Sequence, residues 1–193
     1  MSSSQINKNI IFSIYSKNKT VFTLTDIAML TNESNFKSLN GKLNYYVSKG
    51  KLFRPRKGIY VKANYNPEEL ACVLYTPSYI SLDYVLQKYG IIFQYDERMT
   101  AISYLSRSIE IEDRTYVYRK VKGEILVVTQ GINRIENINM ATPERAFLDT
   151  LYLNKDYYFD NLNPLNKELV YGLLPLYNSQ ALTIRVNKLL KNG

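Results

Sequence analysis

NESNFKSLNGKLNYYVSKGKLFRPRKGIYVK, residues 32–62, is the stretch whose reading decides the fold. At about 100° per residue from Phe36, the residues Leu39, Leu43, Tyr46 and Val47 fall on one side of a helix. Lys37, Ser38, Gly41, Tyr45 and Ser48 fall on the other. Asn32 or Ser34 is the expected cap, because a short side-chain oxygen accepts from the unpaired first-turn amides. Gly50 is the expected stop, since glycine takes the left-handed conformation without a Cβ clash. Lys51 to Arg54 and Gly58 to Val61 then read as two short arms around Pro55, Arg56 and Lys57. Gly58 suits a turn that needs positive φ, and Pro55 fixes the approach to it. A helix followed by a cationic hairpin is the outline of a winged helix-turn-helix, a fold whose natural ligand is a DNA duplex.

The outer side of that helix carries groove-reading chemistry. Lysine neutralises phosphate, while serine and asparagine bond backbone or base edges. Gly41 costs about 1 kcal/mol relative to alanine inside a helix. On an exposed face its missing Cβ lets a sugar-phosphate strand approach closely. A solvated face with an incidental glycine is the competing reading. The adjoining Arg54-Pro55-Arg56-Lys57 favours DNA, because a second cationic element follows the first. The candidate DNA contacts are Lys37, Ser38, Gly41, Lys42, Tyr45, Ser48, Lys49, Arg54, Arg56 and Lys57.

Upstream, Gln5 to Lys17 reads as a first helix with Ile6, Ile10, Ile11, Phe12 and Ile14 turned inward, after a polar start at residues 1–4. Thr20-Val21-Phe22 is β-prone and suits a third strand beside the hairpin. Thr23 or Thr25 caps a second helix through Leu30, with Asp26 at its positive end. The order helix, strand, helix, helix, hairpin is that of a winged helix-turn-helix over residues 1–65.

Downstream, Ala63 to Asn66 marks a boundary, and Pro67-Glu68-Glu69 opens a helix to about Leu74. Cys72 within it reads as a buried small hydrophobe. Tyr79 to Leu82 reads as a short strand or helix entry, with Ser81 capping a helix that ends at Gly90. Strands are expected at Thr100–Tyr104, Ile109–Ile111, Thr115–Val121 and Glu124–Val128, with Lys122-Gly123 as a turn. Thr142-Pro143 starts another helix to about Leu153. Two amphipathic helices, about Leu165–Leu174 and Ser179–Leu190, complete the pattern. Residues 66–193 are thus expected to form a mixed α/β domain, a small and mostly antiparallel sheet with flanking helices, making the chain α+β.

Of the 193 residues, 46% are hydrophobic, enough for a substantial core. The net charge is +8, and its placement is uneven. Residues 1–65 carry 11 Lys and Arg against two acids, Asp26 and Glu33, while residues 66–193 carry 14 against 15. Such asymmetry is what attraction to a polyanion requires. A single cysteine excludes an internal disulfide, and no stretch approaches the ~20 apolar residues of a membrane helix. A soluble, cytoplasmic protein is expected. The sequence contains no histidine, which removes the commonest general base and metal ligand. Neither a phosphate-binding loop nor a dinucleotide-binding glycine pattern is present. Glu110, Glu112 and Asp113 beside Arg114 read as a solvated edge, and Glu144 and Asp149 lie about 140° apart on one helix. No catalytic centre, metal or cofactor is expected.

Several ordered segments resemble the AbiEi antitoxins of bacterial abortive-infection, type IV toxin–antitoxin systems. They are Gly50-Lys51-Leu52 with Arg54 to Val61, Pro67 with Leu70-Ala71, Tyr79-Ile80-Ser81-Leu82, Tyr89-Gly90, and Thr142-Pro143-Glu144-Arg145-Ala146-Phe147-Leu148-Asp149. The resemblance spans roughly residues 5–155. It implies an N-terminal domain that binds inverted repeats at its own promoter and represses transcription. It also implies a C-terminal domain that neutralises a nucleotidyltransferase-like toxin, generally without a stable complex. The DNA contacts it implies are Lys37, Ser38, Lys42, Tyr45, Arg54, Arg56 and Lys57; no single antitoxic residue carries over. The runner-up reading is an interaction module that inhibits a toxin by direct binding, and a third is an enzyme that reverses a toxin's modification.

Overall fold

Leu39 and Leu43 have no exposed surface, and the first part of the chain assembles around them. The structure is a computed structural model that describes residues 10–191. It divides into two units, one through Leu74 and one from Tyr75.

The first unit begins with α1 (Ile10–Tyr15), β1 (Val21–Thr23), α2 (Leu24–Thr31) and α3 (Phe36–Ser48). Ile10, Ile14, Phe22, Ile27, Ala28, Leu39 and Leu43 form its core with Leu52 and Tyr60. Phe12, expected inward, is 73% exposed. At about 100° per residue it points directly away from Ile10 and Ile14. The expected helical residues Gln5 to Asn9, and the polar start before them, lie outside the described residues.

Capping settles where the two longer helices start. Thr23 caps α2: its hydroxyl accepts from the Asp26 amide at 3.1 Å, and the Asp26 carboxylate accepts from the Thr23 amide at 2.8 Å. This reciprocal box satisfies two amides that helix geometry leaves without partners. Neither Asn32 nor Ser34 caps α3. Asn32, at φ 54°, closes α2 instead, and Asn35 accepts from the Ser38 amide at 3.0 Å. Asparagine is one of the few side chains that tolerate the left-handed region, so it serves the C-terminal end equally well.

Gly50, at φ 65°, ends α3 as expected. The hairpin follows as β2 (Phe53–Arg56) and β3 (Ile59–Val61), and β3 also pairs antiparallel with β1. The first arm runs two residues further than expected, through Pro55 and Arg56, leaving Lys57-Gly58 as the turn. The register slips between Phe53 and Arg56, around the proline that has no amide to donate. β2 is the outer strand of the order β1-β3-β2, where a missing donor is tolerated.

The next helix, α4 (Pro67–Leu74), belongs to the first unit, so the boundary lies at 74/75 rather than 65/66. Buried Glu69 is the reason. One of its oxygens accepts from the Thr20 amide and hydroxyl, both at 2.7 Å, and from the Val21 amide at 3.0 Å. Counted through Leu74, the first unit holds 11 Lys and Arg against four acids, Asp26, Glu33, Glu68 and Glu69. Its charge is +7 rather than the +9 of residues 1–65.

The second unit comprises β4 (Ser78–Ile80), α5 (Asp83–Lys88), β5 (Met99–Ser103), β6 (Arg107–Ile111), β7 (Arg114–Lys120), α6 (Gly123–Leu126), β8 (Ile132–Ile135), β9 (Ile138–Ala141), α7 (Pro143–Leu153), α8 (Lys167–Leu173), a single 3-10 turn (Leu174–Tyr177) and α9 (Gln180–Lys191). Its six strands run β6-β7-β5-β4-β9-β8. The pairs β4–β5, β6–β7 and β8–β9 are antiparallel, and β4–β9 and β5–β7 are parallel. The sheet is therefore mixed and larger than expected. Glu124–Val128 is not a strand: its first part belongs to α6, and β8 and β9 were not foreseen.

Helix α7 runs through the middle of this unit, with every residue from Glu144 to Leu151 buried. Arg145 and Asp149, four apart, lie 3.5 Å from one another with no exposed surface. Asp149 accepts from Tyr177 at 2.6 Å, Ser81 at 2.7 Å and Tyr79 at 3.2 Å. Arg145 donates to the carbonyls of Ile125 and Gln130 and to the Tyr79 hydroxyl. Ser81 is thus a buried donor, not a helix cap. α5 starts instead after Leu82, whose φ is 61°. Burial pushes the Asp149 carboxyl above its ordinary range, against the pull of Arg145 and the three hydroxyls. A buried pair of this kind ties helix to sheet, and losing either partner is far costlier than never having had it.

Candidate nucleic-acid interface

The expected candidates divide by where α3 turns them. Lys37, Ser48, Gly41, Tyr45 and Ser38 span about 100° opposite the buried Leu39 and Leu43, and all five are exposed. A Cβ built on Gly41 meets nothing within 4 Å, so this part of the helix surface is open. The Ser48 hydroxyl donates to the Tyr45 carbonyl at 2.8 Å.

Lys42 and Lys49 lie on one flank. The Lys42 ammonium sits 2.9 Å from Glu33, and together with the Asn35 amide it holds that carboxyl below its usual range. Its charge is therefore already balanced locally, which separates it from the other candidates. The Lys49 ammonium lies 5.8 Å from the centroid of the Tyr45 ring, a cation–π arrangement on the exposed side.

The opposite flank faces the hairpin, and here the structure adds residues the sequence did not single out. Tyr60, on β3 and only 1% exposed, donates its hydroxyl to Asn40 at 2.7 Å. Arg54, on β2, donates to the Asn44 side-chain oxygen at 2.9 Å. These bonds join the hairpin to α3 at positions one helical turn apart. The helix and the hairpin therefore hold a fixed relation without any ligand. Asn40 and Asn44 at i and i+4 were the available signal, but nothing local to the helix says which strand they meet. Arg56 and Lys57, at the hairpin's end, are exposed. The site is thus a strip of exposed helix beside a braced basic hairpin, able to place cations and amide donors along one polyanion.

Glu110, Glu112 and Asp113 lie at and beside the turn that joins β6 to β7, all exposed. Among the described residues, no group of three or more Cys, Asp and Glu is placed to hold a metal ion. No helix among them is long and apolar enough to cross a membrane. In the second unit, α5, residues 90–97 and the β6–β7 turn enclose a concavity of about 780 Å3. Phe93 and Tyr95, 69% and 81% exposed, stand on its wall.

No family model matches this chain, and no curated protein matches it. The crystal structure of the RV2827C protein from Mycobacterium tuberculosis is similar in fold, with a TM-score of 0.56 over 94% of this chain and 75% of that one. At 12% identity the likeness concerns the fold alone. That fold combines helices with antiparallel and mixed sheets, and the chain is α+β.

Proposed function

We propose that the first unit is a winged helix-turn-helix that binds duplex DNA, with α3 as the recognition helix and β2–β3 as the wing. On this reading the chain represses its own promoter and serves as the antitoxin of a type IV, abortive-infection pair. The observation that carries the DNA reading is the brace between helix and hairpin. A preformed strip of Lys37, Gly41, Tyr45 and Ser48 beside Arg54, Arg56 and Lys57 meets a phosphate chain without first ordering itself. The antitoxin assignment rests on the sequence segments that resemble AbiEi. The partners are then operator DNA and, functionally, a nucleotidyltransferase-like toxin. A gel shift compares the chain's own upstream region with an unrelated duplex. Selective retardation that Lys37→Glu weakens supports the reading, and equal affinity for both duplexes rejects it. Growth rescue on co-expression with the neighbouring gene product tests the antitoxin role separately.

Direct inhibition of a toxin by binding is the second reading, and the concavity beneath Phe93 and Tyr95 favours it. Large apolar side chains exposed on a concave wall are characteristic of binding surfaces. A stable complex with the neighbouring gene product, lost in Phe93→Ala with Tyr95→Ala, would replace neutralisation without contact by neutralisation through contact.

A further inference from the structure

The bond between Arg54 and Asn44 fixes more than the hairpin's position. A side-chain amide has one oxygen acceptor and two N–H donors, and a guanidinium has five donors and no acceptor. In this structure Arg54 Nη1 donates to Asn44 Oδ1 at 2.9 Å, and both side chains are exposed. The amide oxygen is turned to Arg54, so the pair presents donors outward: the two hydrogens on Asn44 Nδ2 and the remaining guanidinium N–H groups.

We propose that Asn44 and Arg54 form one base-reading element that selects guanine, an inference that rests on the DNA-binding reading of the first unit. Guanine alone offers two adjacent acceptors, N7 and O6, on its major-groove edge. Adenine sets an amino donor beside N7, cytosine presents an amino donor, and thymine has one acceptor beside a methyl group. A free asparagine reads adenine by using its oxygen and nitrogen together. Here Arg54 holds one of that oxygen's two lone pairs, so pairing with adenine must share or break the Arg54 bond, whereas pairing with guanine leaves it intact. The Tyr60–Asn40 bond, at 2.7 Å and one turn earlier on α3, holds β3 against the same helix before DNA arrives. Neither residue is in the core, so substitutions there give up the Arg54–Asn44 half of the brace and keep the buried core and the Tyr60–Asn40 bond.

The test selects duplexes from a random pool with the full chain, then measures affinity for the selected site and its single-base variants. Wild type, Asn44→Ala and Arg54→Lys are compared, with circular dichroism confirming an unchanged fold. One guanine position is expected at which wild type discriminates by about ten-fold or more, the worth of one good bidentate contact. Both variants lose discrimination at that position and keep it elsewhere. Lysine keeps the charge but lacks the fork, so Arg54→Lys separates base reading from simple attraction. Uniform weakening across all sequences assigns the pair to phosphate contact or to bracing the hairpin, and either overturns the inference. So does an adenine preference that depends on Asn44. Both of those results leave the DNA reading standing, whereas a wild-type chain that binds no duplex overturns both.

Discussion

Gly41→Ala separates the stability of α3 from its use. Gly41 sits in the middle of a 13-residue helix, and the added methyl meets nothing within 4 Å. The substitution relieves a helix-interior cost of about 1 kcal/mol. For a unit of this size that raises Tm by about 4–8 °C, which a thermal melt followed by circular dichroism resolves. The same methyl stands on the side proposed to face DNA, where a strand packed against bare backbone must move back. Inserting a methyl into a packed contact costs about 1–3 kcal/mol, so operator affinity falls by about 5- to 150-fold. Fluorescence anisotropy with labelled operator reads that loss. A higher Tm with unchanged affinity refutes the close approach, and an unchanged Tm refutes the helix argument.

Tyr60→Phe removes the hydroxyl bond to Asn40. Because Asn40 is exposed and rehydrates, the loss is about 1 kcal/mol, read as a lower Tm; an unchanged melt would make the brace ornamental. Asp26→Ala opens the capping box and lowers stability by about 1 kcal/mol at neutral pH. Burial pulls the Asp26 carboxyl up, but bonds from the Thr23 amide and Lys19 outweigh it, so its folded value lies below the ordinary 3.8. The contribution is therefore present above about pH 4 and disappears as pH falls through the folded value. Denaturant titrations of wild type and variant should converge in acid, and a gap that persists there contradicts the assignment. Asp149→Ala leaves Arg145 charged and buried without its partner, at a cost of about 3–5 kcal/mol. Loss of the second unit's cooperative melt is the expected readout, and a wild-type melt would show the pair to be dispensable.

The parts that were legible in sequence have a local cause. α3 declared itself through Leu39, Leu43, Tyr46 and Val47 at helical spacing, and α7 through Thr142-Pro143 followed by an acid. Glu124 to Val128 misled because a four- or five-residue apolar run has no period with which to tell strand from helix. β8 and β9 were hidden because the turn between them uses Glu136, at φ 54°, rather than a glycine. Phe12 belongs to an apolar run, but at about 200° from Ile10 on the helix it faces outward. At the candidate site, charge and exposure were readable from Lys37 to Lys57, whereas the bonds from Tyr60 to Asn40 and from Arg54 to Asn44 depend on where a strand comes to rest. The Arg145–Asp149 pair leaves an i, i+4 trace in the sequence, but that spacing is shared by exposed ion pairs and does not say that both side chains are buried.

The most direct test is the salt dependence of operator affinity for wild type and for Arg56→Glu with Lys57→Glu. Each phosphate contact contributes about 0.9 to the slope of log affinity against log salt, so losing two flattens it by about 1.8. A weaker complex with that flatter slope is the predicted result. An unchanged affinity and slope would mean that the basic hairpin does not touch DNA, and the account of the first unit would fall with it.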